Sequence, residues 1–229
     1  MLKLEPIPII SRAVSSSPNV SVDWKGPDPY DAIGDLNEQY LDDFKEINSV
    51  ADLAYIICCS EWLYYFLYDH FEPEEATNFE QYIIGSWVWV CDLPRKLAPY
   101  YNLTAVDESR GRSANIDAVE LAFDSVWEGV LSIPREETNV DATVVTQLCE
   151  YILPRDCGFK QWREVILQRL KEKFPSGEKN PSLIQISRRI FDTDVSLDDI
   201  VHEADCASLL GDMDFEGNPY LPLTEPDPD

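Results

Sequence analysis

The chain has 229 residues, with 43 acids against 18 bases and a net charge of −25. A field of that sign repels nucleic-acid phosphates and anionic membrane surfaces and draws cationic partners. Apolar residues make up 45% and aromatics 11%, enough for one large domain with a sizeable core.

The charge is unevenly spread. Residues 190–229 hold twelve acids and no Lys or Arg, whereas residues 155–189 hold nine bases and four acids. The six cysteines form no CxxC pair, and several fall at apolar helix positions, where a free thiol behaves as a small hydrophobe. A chain of this size needs no disulfide staples, which points to a reduced, cytoplasmic protein. Glu5, Pro6 and Pro8 interrupt the apolar start of the chain, so no signal peptide is expected.

Residues 1–27 contain Pro6, Pro8, Pro18, Gly26 and Ser15–Ser17 and read as extended or irregular, with a short strand at Asn19–Trp24. Asp28-Pro29 resembles an N-cap followed by proline at the first helical position. Tyr30, Ile33, Asn37, Tyr40, Leu41, Phe44 and Ile47 then recur at helical spacing, with Asp31, Asp35, Glu38, Asp42 and Asp43 outward. Ser49 and Asp52 stand three apart, as in a capping box, before the most apolar run of the chain, 52–71. A helix apolar on all sides is one surrounded by others. Leu53–Tyr68 is too short, and with Ser60 and Glu61 at its centre too polar, to span a membrane.

Glu72-Pro73-Glu74-Glu75 opens the next helix, with acids where the helix dipole favours them. It runs through Tyr82, Ile83, Trp87 and Val90, and Asp92-Pro94 opens a short helix to Tyr101. Asn102–Arg112 reads as a loop. Ser113 precedes a helix carrying Ile116, Val119, Phe123 and Val126, which Pro134 stops. Another helix is expected from Val140 to Leu153, and Pro154 and Gly158 break the chain after it. Phe159, Trp162, Ile166, Leu170 and Phe174 form one stripe, opposed by a basic face of Lys160, Arg163, Arg169, Lys171 and Lys173 that is expected to dock within the chain against the acidic C-terminal region. Asn180-Pro181 starts a short helix ending near Phe191. Ser196 and Asp199 resemble a second capping box, opening a helix over Leu197–Leu210 with Gly211 as its C-terminal cap. From Asp212 the prolines favour an extended, partly disordered arm.

The expected fold is therefore all-α. It is a single globular bundle of about eight helices, with an irregular N-terminal segment (1–27), a helical domain (28–211) and an acidic Pro-rich tail (212–229). No repeat of fixed period is present.

Chemistry-bearing constellations are sparse. His202 shares a helix face with Asp199 and Cys206, but zinc takes three or four ligands and no second half-site exists. Residue 67 is Leu, so His70 lacks the Glu of a di-iron Glu-x-x-His pair. No Gly-x-Ser-x-Gly elbow, phosphate loop or dinucleotide fingerprint occurs, and Cys58-Cys59 lie in an apolar helix where thiols are inert. No metal or cofactor is expected. Glu61 is the carboxylate to examine: burial would hold its proton unless a base pairs with it.

The acidic cluster Asp192, Asp194, Asp198, Asp199, Glu203, Asp205, Asp212 and Asp214 is the candidate partner-binding surface. Acidic faces also serve solubility alone, and eight lysines would suit halophilic adaptation. The large apolar and aromatic content favours a binding protein. The expectation is a non-catalytic acidic protein that neutralises a basic protein partner. Its most concrete form is a bacterial immunity or inhibitor protein that occludes a toxin or nuclease domain, with exposed aromatics as anchors. The alternatives are a helical scaffold and an enzyme with a carboxylate-based site around Glu61 or His202. No nucleic-acid or membrane partner is expected.

Overall fold

One helix is apolar on every side, and the rest of the bundle exists to cover it. The structure, a computed structural model, describes residues 4–17, 20–23, 32–93, 113–135, 137–177 and 184–221. Among these it holds eight α-helices, and the one extended pairing is an isolated antiparallel bridge between Ile47 and Pro175. The all-α bundle read from the sequence is what the chain forms.

The central helix is α3, Ser49–Leu67, preceded by α1 (Pro8–Ser16) and α2 (Glu38–Lys45). Every α3 residue except Tyr65 is buried. It packs chiefly against α5 (Ala114–Ser132) and α6 (Asn139–Ile152), then against α4 (Pro73–Cys91). Each large side chain buried here contributes about 1.5–3 kcal/mol relative to exposure. The approach of α5 is close because residue 129 is glycine. A Cβ there would stand 3.1 Å from Leu53 Cδ1 and 3.2 Å from Ile56 Cδ1.

The apolar stretch is longer than the sequence suggested. Ser49–His70 spans 22 residues and contains an 18-residue window of mean hydropathy 1.3, long and apolar enough to cross a membrane, so length does not argue against a span. Burial does: 94% of that window lies inside the bundle. On its far side α7 (Phe159–Lys173) brings Phe159 and Trp162 against Trp62, with ring centroids 5.5 Å away in each case. Trp162 also donates its indole N–H to the Phe191 carbonyl at 3.0 Å.

Several helix starts follow the local code. Ser113 accepts from the Asn115 N–H, Glu72 and Glu75 form a reciprocal capping box with Pro73 at the first helical position, and Gly158 takes φ +90° ahead of α7. Other local expectations are corrected. An extended path was expected for residues 1–27, but Pro8 serves as the first residue of α1, where its missing N–H costs nothing, and Ile10 and Ala13 are buried. Val20–Asp23 form no strand, and residues 19 and 24 lie outside the described residues. So do Asp28-Pro29, the helix over 94–101, the loop to Arg112 and Asn180-Pro181. The helix expected over Tyr30–Ile47 is broken: Ala32 and Ile33 are helical, Gly34 takes φ +69°, and a helix capped by Asn37 then runs over Glu38–Lys45. Asn48, not Ser49, caps α3.

Beyond α7 the chain is less helical than its pattern implied. Ile184–Ser187 run without helix, Arg188–Phe191 make a 3-10 turn, and Ser196 caps a second 3-10 turn at Leu197–Asp199. The last helix, α8, begins only at His202 and ends at Gly211, with Asp212 as its cap at φ −90°. Residues 212–221 do not leave the bundle, and the rest of the expected tail lies outside the described residues. Tyr220 and Leu221 are buried against Gly85 of α4, and Asn218 donates to the Gln81 carbonyl at 2.9 Å.

Candidate functional site

The eight carboxylates of the acidic cluster divide into two sets. Four are engaged within the chain. Asp192 accepts the Asp194 N–H, Asp194 pairs with Arg12 at 2.7 Å, and Asp214 accepts the Gly217 N–H. Asp205 accepts from the Ser187 hydroxyl at 2.7 Å and faces Arg189 at 3.3 Å. The other four, Asp198, Asp199, Glu203 and Asp212, are exposed, and no cation among the described residues pairs with them. Asp198 and Asp199 lie on the 3-10 turn before α8, Glu203 in its first turn, and Asp212 at its far end. Val201, 59% exposed, stands between Asp199 and Glu203. The sequence pointed to aromatic anchors, but the apolar side chain the fold sets among the acids is aliphatic.

The basic face expected on α7 is largely spent inside the protein. Arg163 is buried, pairs with Glu150 and lies 4.4 Å over the Tyr40 ring. Arg169 donates to the carbonyls of Ile190, Asp192, Thr193 and Val195, holding the start of the acidic segment by its backbone. Lys171 bridges Asp43 and Glu46.

The two residues considered for catalysis are both held by structural partners. Glu61 is fully buried on α3, and its carboxylate receives Arg188 Nε at 2.7 Å, Arg188 Nη2 and the Trp87 indole N–H. A base therefore does pair with it, from 127 residues along the chain. Burial opposes the charge on Arg188, but the attraction of Glu61 outweighs it and raises the guanidinium pKa. His202 accepts the Ser187 N–H on Nδ1 at 2.9 Å, which puts the proton of the neutral ring on Nε2. Burial pushes its pKa down, with the Asp205 charge opposing. All six cysteines are free and buried, and burial raises the thiols of Cys58 and Cys149 well above their ordinary value, leaving them unreactive. Among the described residues no group of three His, Cys, Asp or Glu side chains comes together as a metal site would require.

Sequence reasoning missed Asp52. The capping box expected of it with Ser49 does not form, because Asn48 is the cap, and Asp52 is 2% exposed in the core. Thr138, 86 residues away, donates to its Oδ2 at 2.9 Å, while Oδ1 has no partner among the described residues. Asp52 lines a cavity of about 90 Å³ with Asn48, Ser49, Thr138 and Asn139. Burial pushes its carboxyl well above the usual carboxylate range, against the pull of the Thr138 hydroxyl. Asp141, in the first turn of α6, is raised to about 6 by burial, with the Glu128 charge adding to it.

These shifts set a pH dependence. A carboxyl whose folded pKa exceeds its unfolded value loses stability as pH rises from the unfolded value through the folded one. The protein is thus expected to melt at a higher temperature at pH 5 than at pH 7.5. Asp52→Asn, which cannot ionise, should gain on the wild type as pH rises, by up to about 1.4 kcal/mol per pH unit above the unfolded carboxyl's pKa. Thermal unfolding of both proteins at constant ionic strength measures it; parallel pH profiles refute the assignment to Asp52.

No family model, no curated protein and no solved structure matches this chain.

Proposed function

We propose that the protein is a non-catalytic acidic binding module that captures a basic protein partner on the face formed by Leu197–Asp199 and α8. One observation carries this reading. Asp198, Asp199, Glu203 and Asp212 are exposed and unpaired among the described residues, while the other carboxylates of the cluster are spent on the fold. Val201, exposed between Asp199 and Glu203 in the chain, supplies an apolar point of contact beside those acids. A desolvated apolar centre rimmed by charge is the arrangement in which interface energy concentrates. The most concrete form is a cytoplasmic bacterial immunity or inhibitor protein, in which these acids meet the Lys and Arg residues lining the substrate groove of a toxin or nuclease domain and block it. The engagement of Glu61 by Arg188 and of His202 by a backbone N–H weighs against the catalytic alternative.

The test compares the wild type with Asp198→Lys/Asp199→Lys/Glu203→Lys in capture from the native host, followed by association kinetics with the partner recovered. Electrostatic steering contributes about 10–1,000-fold to association rates and collapses with salt. The reversed variant should therefore associate at least tenfold more slowly at low salt, and the two proteins should converge at high salt. Capture of one partner at equal rates by both proteins at every salt concentration would sink the proposal.

A further inference from the structure

We infer that the protein carries a second, separate binding site, for a small organic acid with an apolar body, in the cavity where α2, the C-terminal end of α6 and the start of α7 meet. The cavity measures about 330 Å³, at the lower end of the 300–1,000 Å³ typical of small-molecule sites. Its apolar wall is made by Leu153, Pro154 and Phe159, with the Tyr40 ring and the Cys149 side chain beside them. Its basic wall is made by Arg155 and Lys160.

The charge pattern of the whole chain makes those two residues stand out. Acids outnumber bases 43 to 18, so a cation left without a partner is unusual here. Arg12, Lys45, Arg135, Lys171, Lys173 and Arg189 pair with carboxylates at the surface or near it. Arg163 and Arg188 pair with Glu150 and Glu61, and Arg169 is consumed by four carbonyls. Among the described residues only Arg155 and Lys160 have no ion pair or side-chain hydrogen bond, and both line this one cavity. Asp156 and Glu164 are close in sequence, yet neither pairs with them.

The acid within the cavity wall does not neutralise them either. Glu150 is already taken by the buried guanidinium of Arg163 and by the Tyr40 hydroxyl, which donates to it at 3.0 Å. The cavity thus presents two uncompensated positive charges above an apolar floor, inside a protein of charge −25. The start of α7 adds to the effect, because its first turn carries no acid and Gly158 offers no side-chain cap. The positive end of that helix dipole adds to the field that favours an anion there. A carboxylate head between Arg155 and Lys160, with its hydrocarbon body against Leu153 and Phe159, satisfies both walls at once. A free inorganic anion uses only the first, and a neutral alkane only the second.

Three probes separate these terms on the full chain: octanoate, 1-octanol with the same body and no charge, and acetate with the head alone. Titration calorimetry at low salt is expected to give saturable one-to-one octanoate binding with Kd below about 1 mM, and octanol and acetate at least tenfold weaker. Arg155→Ala/Lys160→Ala should weaken octanoate tenfold or more with no change in Tm, because both side chains are exposed and hold nothing else in place. Octanol binding as tightly as octanoate, an alanine variant binding octanoate like the wild type, or absence of saturable octanoate binding each overturns the site. The acidic face plays no part in these titrations, so their outcome leaves the reading of that face as it stands.

Discussion

Arg188→Ala is expected to destabilise the protein by about 3–5 kcal/mol, the range for removing one partner of a buried ion pair. Glu61 lies in the middle of α3 with no exposed surface, and in the variant its carboxylate keeps only the Trp87 indole N–H. Arg188 also donates to the Glu5 carbonyl at 2.8 Å, so its loss loosens the approach to α1 as well. Arg188→Lys should recover little, because an ammonium cannot present two N–H groups to two carboxylate oxygens in one plane. Glu61→Gln should cost less than Arg188→Ala. It removes the buried charge, and Arg188, with 24% of its side chain exposed, keeps access to solvent. The double variant Glu61→Leu/Arg188→Leu should return most of the stability, since an apolar pair of similar volume avoids both desolvation costs. Urea unfolding of the wild type and the four variants measures this ordering. An Arg188→Ala protein within 1 kcal/mol of the wild type would overturn the assignment of this pair as a stabilising element.

Trp62→Ala should cost a similar amount, about 3–5 kcal/mol, for a different reason. Trp62 is fully buried at the contact of α3 with α7, stacked at 5.9 Å on Phe66 and touching Phe159 and Trp162. Removing it opens a cavity between two helices, and the remaining rings fill it only in part. Trp62→Phe should cost distinctly less. It keeps an aromatic ring in the cluster and deletes an indole N–H that has no acceptor among the described residues. Against a total stability of about 5–15 kcal/mol, Trp62→Ala leaves the fold marginal at body temperature. Denaturant midpoints for the two variants, with unchanged slopes, test the ordering. A Phe variant as unstable as the Ala variant would mean that the indole N–H is satisfied by water.

The sequence by itself determined the all-α class, the central position of the run around 52–67, and helix starts such as Ser113, Glu72-Pro73 and Gly158. These depend on interactions within one or two turns: hydrophobic period, a side chain reaching a nearby N–H, a glycine where φ is positive. The same local code misled where a residue had a stronger option far away. Asp52 fits a capping box by spacing, yet it goes to Thr138 across 86 residues. The basic face of α7 reads as docking against the acidic C-terminal region, and Arg169 does grip four carbonyls of residues 190–195, but Arg163 is buried with Glu150 instead. Glu61 was visible as an anomaly, but its partner at 188 was not. Nothing in a linear pattern encodes which segment crosses the middle of a helix from 127 residues away. Tertiary structure alone decided which acids of the C-terminal cluster remain for a partner and which brace the fold. It also set Arg155 and Lys160 against one apolar cavity. Both outcomes depend on where the chain path brings opposite charges within about 4 Å, the range over which ion pairs form.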